Sequence, residues 1–207
     1  MPKIVVSQFL TLDGVMQAPG DPDEDRRDGF DQGGWQLAYF DEVFGSFVME
    51  GFATTGGLLL GRRTYEIFAR HMPKQPADDP VAGPMNEWRK YVVSSSLAEP
   101  LDWQNSTLIK GDVPSEVAKV KEGAGKDIQV MGSGELVQAL IRHDLVDEYR
   151  LMIHPLVLGA GRRLFRDETP LRSFRLIDSR SSGKGVLLLR YVPANQVRAH
   201  KEVTRGV

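Results

Sequence analysis

Twice in this chain a short aliphatic run ends on glycine and passes directly into a helical pattern. Leu58–Leu60 leads through Gly61 into the stretch Arg62–Glu66. Ile128–Met131 leads through Gly132–Ser133–Gly134 into Glu135–His143, where Leu136, Val137, Leu140 and Ile141 recur at helical spacing. A strand that hands over to a helix this abruptly leaves its next strand to return parallel to it, because a crossover lies between them. Lys3–Phe9, Tyr91–Ser94 and Thr107–Lys110 read as further short strands. Helices are predicted over Trp35–Ala53, Thr64–Arg70, Ser115–Glu122 and, for a turn or two, Pro84–Arg89. From Glu148 the character changes: Glu148–Ile153, Phe174–Arg180 and Val186–Val192 are strands with no helix between them, so they pair at least partly antiparallel. The expected fold is α/β, a mostly parallel sheet with helices on both faces and an antiparallel C-terminal hairpin. One domain over residues 1–193 and a polar tail over 194–207 account for the 207 residues.

Composition removes several classes of function. The absence of cysteine excludes disulfides, thiolate metal sites and thiol nucleophiles. A net charge of -2 argues against nucleic acid as the main partner. No apolar stretch reaches the roughly 18 residues of a membrane-spanning helix, and Met1–Phe9 reads as a strand rather than a signal peptide. A cytoplasmic protein without membrane contact is expected.

The loop Asp21–Asp31 holds six carboxylates, and Asp21, Asp23 and Asp25 open like a calcium loop. The sixth position is Arg26 instead of glycine and the twelfth is Gln32 instead of glutamate, so no metal is predicted. His200 and Glu202 form an H-x-E pair without the cysteines of a zinc deaminase, and Gly159–Ala160–Gly161 reads as a turn. Anion-friendly groups gather instead at three strand ends. These are Gly61–Thr64 with two arginines at a helix start, the serine run Ser94–Ser96, and the Gly132–Ser133–Gly134 turn. Unpaired helix amides and guanidinium forks both favour phosphate. In open α/β sheets, ligands sit beyond the carboxyl ends of the strands.

The segments VSQFLTLDG (Val6–Gly14), LLLGRRTYE (Leu58–Glu66), YVVSSSL (Tyr91–Leu97), IQVMGSGELVQALI (Ile128–Ile141) and VDEYRLMIHPLVLGAGRRLF (Val146–Phe165) together resemble the dihydrofolate-reductase-like fold. Within it they are most similar to the reductase domain of the riboflavin-biosynthesis deaminase–reductases and its stand-alone relatives. The resemblance implies an NADPH-dependent reductase acting on a small pteridine-, pyrimidine- or flavin-precursor-like substrate, similar to 5-amino-6-(5-phosphoribosylamino)uracil reductase. Two other readings are a dihydrofolate reductase and a non-catalytic protein that binds or senses NADPH. The resemblance assigns Gly61, Arg62, Arg63, Thr64, Ser94 and Ser95 to the adenosine phosphates, and Gly132, Ser133, Gly134 and Glu135 to the pyrophosphate. Asp13, in a turn like the family's Ser-Leu-Asp-Gly element, is a substrate-side and catalytic candidate. Asp41, on the following helix, is a second catalytic candidate, and Trp35 and Tyr39 are candidates for stacking in the pocket. Ser7 stands where the riboflavin reductases carry lysine, and Met131–Gly132–Ser133–Gly134 replaces their Glu-Gly-Gly-Pro turn. A homodimer is expected, as in many family members.

Overall fold

A computed structural model describes residues 1–123 and 125–194 of the chain. The polar tail and the His200–Glu202 pair lie outside the described residues, apart from Ala194. Eight strands form one sheet: β1 (Ile4–Thr11), β2 (Thr55–Gly61), β3 (Arg89–Val93), β4 (Ser106–Ile109), β5 (Asp127–Met131), β6 (Glu148–His154), β7 (Phe174–Ser181) and β8 (Leu187–Pro193). Their order across the sheet is β4-β3-β2-β5-β1-β6-β8-β7. The first six in that order run parallel, while β8 pairs antiparallel with both β6 and β7. The α-helices among the described residues are α1 (Glu42–Thr54), α2 (Arg62–His71), α3 (Ala82–Glu87), α4 (Val113–Gly123) and α5 (Gly134–Arg142).

Alternation along the central strands divides the core into two layers. Ile4, Val6, Ile128, Val130 and Leu151 pack with Val117 of α4 and Leu140 of α5 on one face. Leu58, Leu60 and Val92 pack with Phe52 of α1, Tyr65 of α2 and Met85 of α3 on the other. Lys90, fully buried at the start of β3, donates from Nζ to the Met85 and Asn86 carbonyls and lies 4.4 Å from the Trp103 ring centre.

Most boundaries differ from the sequence reading by a few residues, and three of the differences have a local reason. The helix expected from Trp35 begins only at Glu42. Asp41 is its N-cap, accepting the Phe44 N–H at 2.9 Å, and Leu37–Tyr39 form a separate 3-10 turn. Leu37 and Phe40, which continued the apolar spacing, are largely exposed. Gly56 and Gly57 do not end that helix; they lie within β2, beside a register shift between Thr55 and Gly57. At Gly57 a Cβ would meet the Arg89 carbonyl oxygen at 3.2 Å, a tight approach that a side chain would open by a few tenths of an ångström. Finally, α2 starts at Arg62 with Gly61 as N-cap, which places Thr64 inside the first turn rather than at the cap.

Candidate functional site

The three strand ends marked in the sequence are neighbours in the sheet. Gly61 lies opposite Val93, the residue before Ser94, and β2 pairs on its other side with β5, which runs into Gly132. Segments 61–64, 94–95 and 132–135 therefore share one edge of the sheet, with the first turns of α2 and α5 side by side.

Ser133 joins two of these turns. Its Oγ accepts the Gly61 N–H at 2.7 Å and donates to Thr64 Oγ1 at 2.8 Å. Ser133 is the N-cap residue of α5, yet its hydroxyl makes no bond to that helix. The leading amides of α5 therefore lack a side-chain cap, and Gly61 likewise offers none to α2. The contact leaves no spare room. A Cβ on Gly132, whose φ is +70°, would lie 3.0 Å from Thr64 Oγ1, and one on Gly61 would lie 3.1 Å from Ser133 Oγ. Two uncapped helix starts pressed together in this way can receive a chain of phosphates.

The other predicted residues divide. Arg62 is half exposed with a long i,i+4 contact to Glu66 at 3.4 Å, and Arg63 is exposed on the side of Asp25. Ser95 is exposed, whereas the buried Ser94 accepts the Ser96 and Leu97 N–H groups, so its oxygen closes the turn after β3. The side chain of Glu135 is engaged by two arginines. It takes Arg166 at 2.7 Å and Arg162 at 3.4 Å, and the Arg166 hydrogen bond holds its carboxyl below the usual range.

The substrate-side candidates have structural partners. Burial pushes the Asp13 carboxyl up, but hydrogen bonds from Thr11 Oγ1 (2.5 Å), Gly159 N (2.9 Å) and Leu158 N (3.3 Å) outweigh it, and the net shift is downward. Asp13 thus latches its own turn to the 158–159 segment, with both oxygens occupied. Asp41, besides capping α1, accepts the Lys184 N–H at 3.1 Å and so ties the helix to the β7–β8 turn. Both carboxylates therefore also hold backbone turns in place. Trp35 is buried and donates from Nε1 to the Gln17 carbonyl at 2.8 Å. Tyr39 is half-buried, its ring edge-on to His154 at 5.6 Å.

His154 is the most enclosed titratable group at this end of the sheet, and the sequence reading passed over it. It is fully buried at the end of β6, opposite Thr11, among the rings of Phe9, Trp35, Tyr39 and Phe44. Nδ1 lies 3.1 Å from the Leu10 carbonyl and 3.0 Å from the Met152 carbonyl. Both partners can only accept, so Nδ1 carries the proton and Nε2 is a bare acceptor without a hydrogen-bond partner among the described residues. Burial pushes its pKa down, keeping the ring neutral.

On the same face of β6 sit Arg150 and Glu148, two residues the sequence reading also missed. Lys3 (3.0 Å), Arg150 (3.1 Å) and Arg190 (2.9 Å) all contact Glu148, whose side chain is 1% exposed. Charges at alternate positions of a strand otherwise rich in apolar residues were the legible sign of this cluster.

Residues 2–188 match the RibD C-terminal domain. The chain is 29% identical over 195 residues to the uncharacterized protein YyaP of Bacillus subtilis, covering 91% of this chain and 94% of YyaP. Among solved structures it resembles a pyrimidine reductase-like protein of Corynebacterium diphtheriae, with a TM-score of 0.65 at 12% identity, over 94% of this chain and 93% of that one. It also resembles the diaminohydroxyphosphoribosylaminopyrimidine deaminase/5-amino-6-(5-phosphoribosylamino)uracil reductase of Thermotoga maritima, with a TM-score of 0.63 at 15% identity. That match spans 93% of this chain and 57% of the larger protein. The fold is the dihydrofolate-reductase-like one expected from the sequence.

Proposed function

The chain belongs to the RibD C-terminal domain family, and from that premise we propose that it is a cytoplasmic, NADPH-dependent reductase of a small pteridine-, pyrimidine- or flavin-precursor-like compound. The observation that carries this reading is the Ser133 link, which sets the uncapped starts of α2 and α5 against each other. Backbone amides there suit the pyrophosphate, and Arg62 and Arg63 at the start of α2 suit the additional ribose phosphate that distinguishes NADPH from NADH. The names of the Corynebacterium and Thermotoga proteins support a heterocyclic substrate.

When bound, the reduced dinucleotide supplies a hydride. The protein's part is positional: the Gly132–Gly134 turn and the α2 start hold the cofactor's charged middle, and α1 with the β1 and β6 ends encloses the reacting partner and excludes water. Calorimetric titration with NADPH and NADH tests the cofactor, and NADPH oxidation over a panel of pteridines, pyrimidines and quinones tests turnover. Binding of NADPH in preference to NADH, with oxidation on at least one ring system, is expected. Tight binding without turnover on any compound would favour a sensing role instead.

The reading includes a homodimer. It is supported by the edge strand β7, where Leu176 and Ile177 are exposed, and by the nearby exposed Leu171 and Leu187. Light scattering on the purified protein is expected to give twice the chain mass.

A further inference from the structure

An open cleft of about 480 Å³ is lined by Arg162, Arg163, Phe165 and Arg166 together with Asp28 and Glu135. Glu135 belongs to the first turn of α5, so the cleft adjoins the Gly132–Gly134 turn. Arg166 reaches that turn directly: a Cβ on Gly134 would lie 3.6 Å from its Nη2. The segment carrying the three arginines is held on two sides. Met16 N donates to the Arg162 carbonyl at 2.8 Å, Leu164 N to the Gly14 carbonyl at 3.1 Å, and Arg162 N to Gln17 Oε1 at 3.0 Å. From α5, Gln138 donates to the Leu164 carbonyl.

The arginines are occupied, but by partners that face water. Arg166 donates to Glu135 from both terminal nitrogens, at 2.7 and 3.3 Å. Arg162 reaches Glu135 at 3.4 Å and Asp28, on the acidic loop, at 2.9 Å, while its buried Nε has no partner among the described residues. The Glu135 and Asp28 side chains are 69% and 74% exposed, against 32% for Arg162 and 34% for Arg166. Pairs this exposed on the acid side contribute little stability, so the carboxylates can turn into water while the more enclosed guanidinium groups stay. Arg163 is committed elsewhere, donating from Nε to the Asp13 carbonyl at 2.8 Å.

Glu135 also poses an electrostatic difficulty for the proposed cofactor. A bare carboxylate in the first turn of α5 repels the pyrophosphate that the neighbouring amides attract. Arg162 and Arg166 cancel that charge, and they become a cationic wall once the acids are displaced. A guanidinium fork matches two oxygens of a carboxylate and two of a phosphate equally well. Asp28 and Glu135 therefore hold the arginines much as a phosphate would.

We infer that Arg162 and Arg166 are side-chain ligands of the dinucleotide's pyrophosphate, and that the Asp28 and Glu135 carboxylates are internal stand-ins which the phosphate oxygens displace. The inference rests on the reductase reading above and deepens it, adding two cations from the segment after β6 to the backbone amides of the turn. Because Asp28 ties the acidic loop to Arg162, arrival of the pyrophosphate releases that tie.

Calorimetric titration of NADPH and NADH on four variants tests the inference by sign. Both dinucleotides carry the pyrophosphate, so Arg162→Gln and Arg166→Gln are each expected to weaken both by the same factor, roughly tenfold or more. Asp28→Asn and Glu135→Gln remove the stand-ins and are expected to tighten both, by about two- to fivefold. A purely structural ion-pair network moves all four variants in one direction, because losing either partner breaks the same contact. Should Arg162→Gln fail to fold, Arg166→Gln and the two acid variants carry the test. Unchanged affinity in Arg166→Gln, a loss confined to NADPH, or no tightening in either acid variant would overturn the assignment. The reductase reading fails by a different signal, a wild-type protein that binds neither dinucleotide.

Discussion

Ser133 Oγ accepts the backbone N–H of Gly61 from 72 residues away, at 2.7 Å, and donates its own O–H to Thr64 Oγ1. Ser133 holds φ at +64°, a left-handed conformation that a side chain adopts at a cost. The hydroxyl compensates by joining two helix starts. Ser133→Ala keeps the strain and loses the bonds, so it is expected to lower stability by about 1–2 kcal/mol and to weaken NADPH roughly tenfold. Ser133→Gly relieves the strain and is expected to recover melting temperature without recovering affinity. Calorimetry on the two variants separates the effects; full NADPH affinity in both would show that the link does not shape the cofactor site.

Arg62 and Arg63 stand at the start of α2 without a close, buried acid partner among the described residues. If one of them meets the ribose phosphate, its removal affects NADPH and spares NADH. Arg62→Ala and Arg63→Ala, made separately, are expected to cost NADPH on the order of 1.5–3 kcal/mol in at least one case. An equal loss for both cofactors would move these arginines to the pyrophosphate or to solvent.

The fold was legible because each strand end carries its own punctuation. Gly61 and Gly132 close aliphatic runs and open helices, which was enough to mark both turns and their likeness. That the turns touch was not legible, since Ser133 and Thr64 meet only through the sheet order. Asp13 looked like a free turn carboxylate because its partners, the Leu158 and Gly159 amides, lie some 145 residues along the chain. Leu37 and Phe40 extended the apolar period of α1, and periodicity alone could not tell that they face solvent ahead of the Asp41 cap. Gln129 was invisible for a different reason. A single polar residue in a short strand acquires meaning only from the helix glycine that faces it, here Gly51.

His154 supplies a prediction about protonation. Its Nδ1 faces two carbonyl oxygens, so the ring is expected to be the neutral Nδ1–H tautomer, seen in nitrogen NMR as a protonated Nδ1 and an unprotonated Nε2. Burial depresses its pKa, so as pH falls below about 6.5 the unfolded chain takes up a proton that the folded one refuses. Stability from this group is complete above that pH and declines below it. His154→Gln is expected to flatten the decline between about pH 6.5 and 5, measured by urea unfolding. A titrating wild-type ring near its ordinary pKa would contradict the enclosed environment.

Glu148 titrates in a lower window with the same sign. Burial alone would raise its pKa, but the Arg190 and Lys3 hydrogen bonds and the charge of Arg150 outweigh it and hold the carboxyl at about 2. In the unfolded chain it titrates near 4.5. The folded form is therefore the stronger acid, and its stabilisation is present above about pH 4.5 and lost as pH falls toward 2. The shift corresponds to on the order of 3 kcal/mol across that interval. Glu148→Gln leaves Lys3, Arg150 and Arg190 around a neutral amide, so it is expected to be less stable than wild type at pH 7 and to converge with it as the pH approaches 3. Unfolding curves that remain parallel from pH 7 to 3 would mean that the carboxylate is not what holds these three cations together.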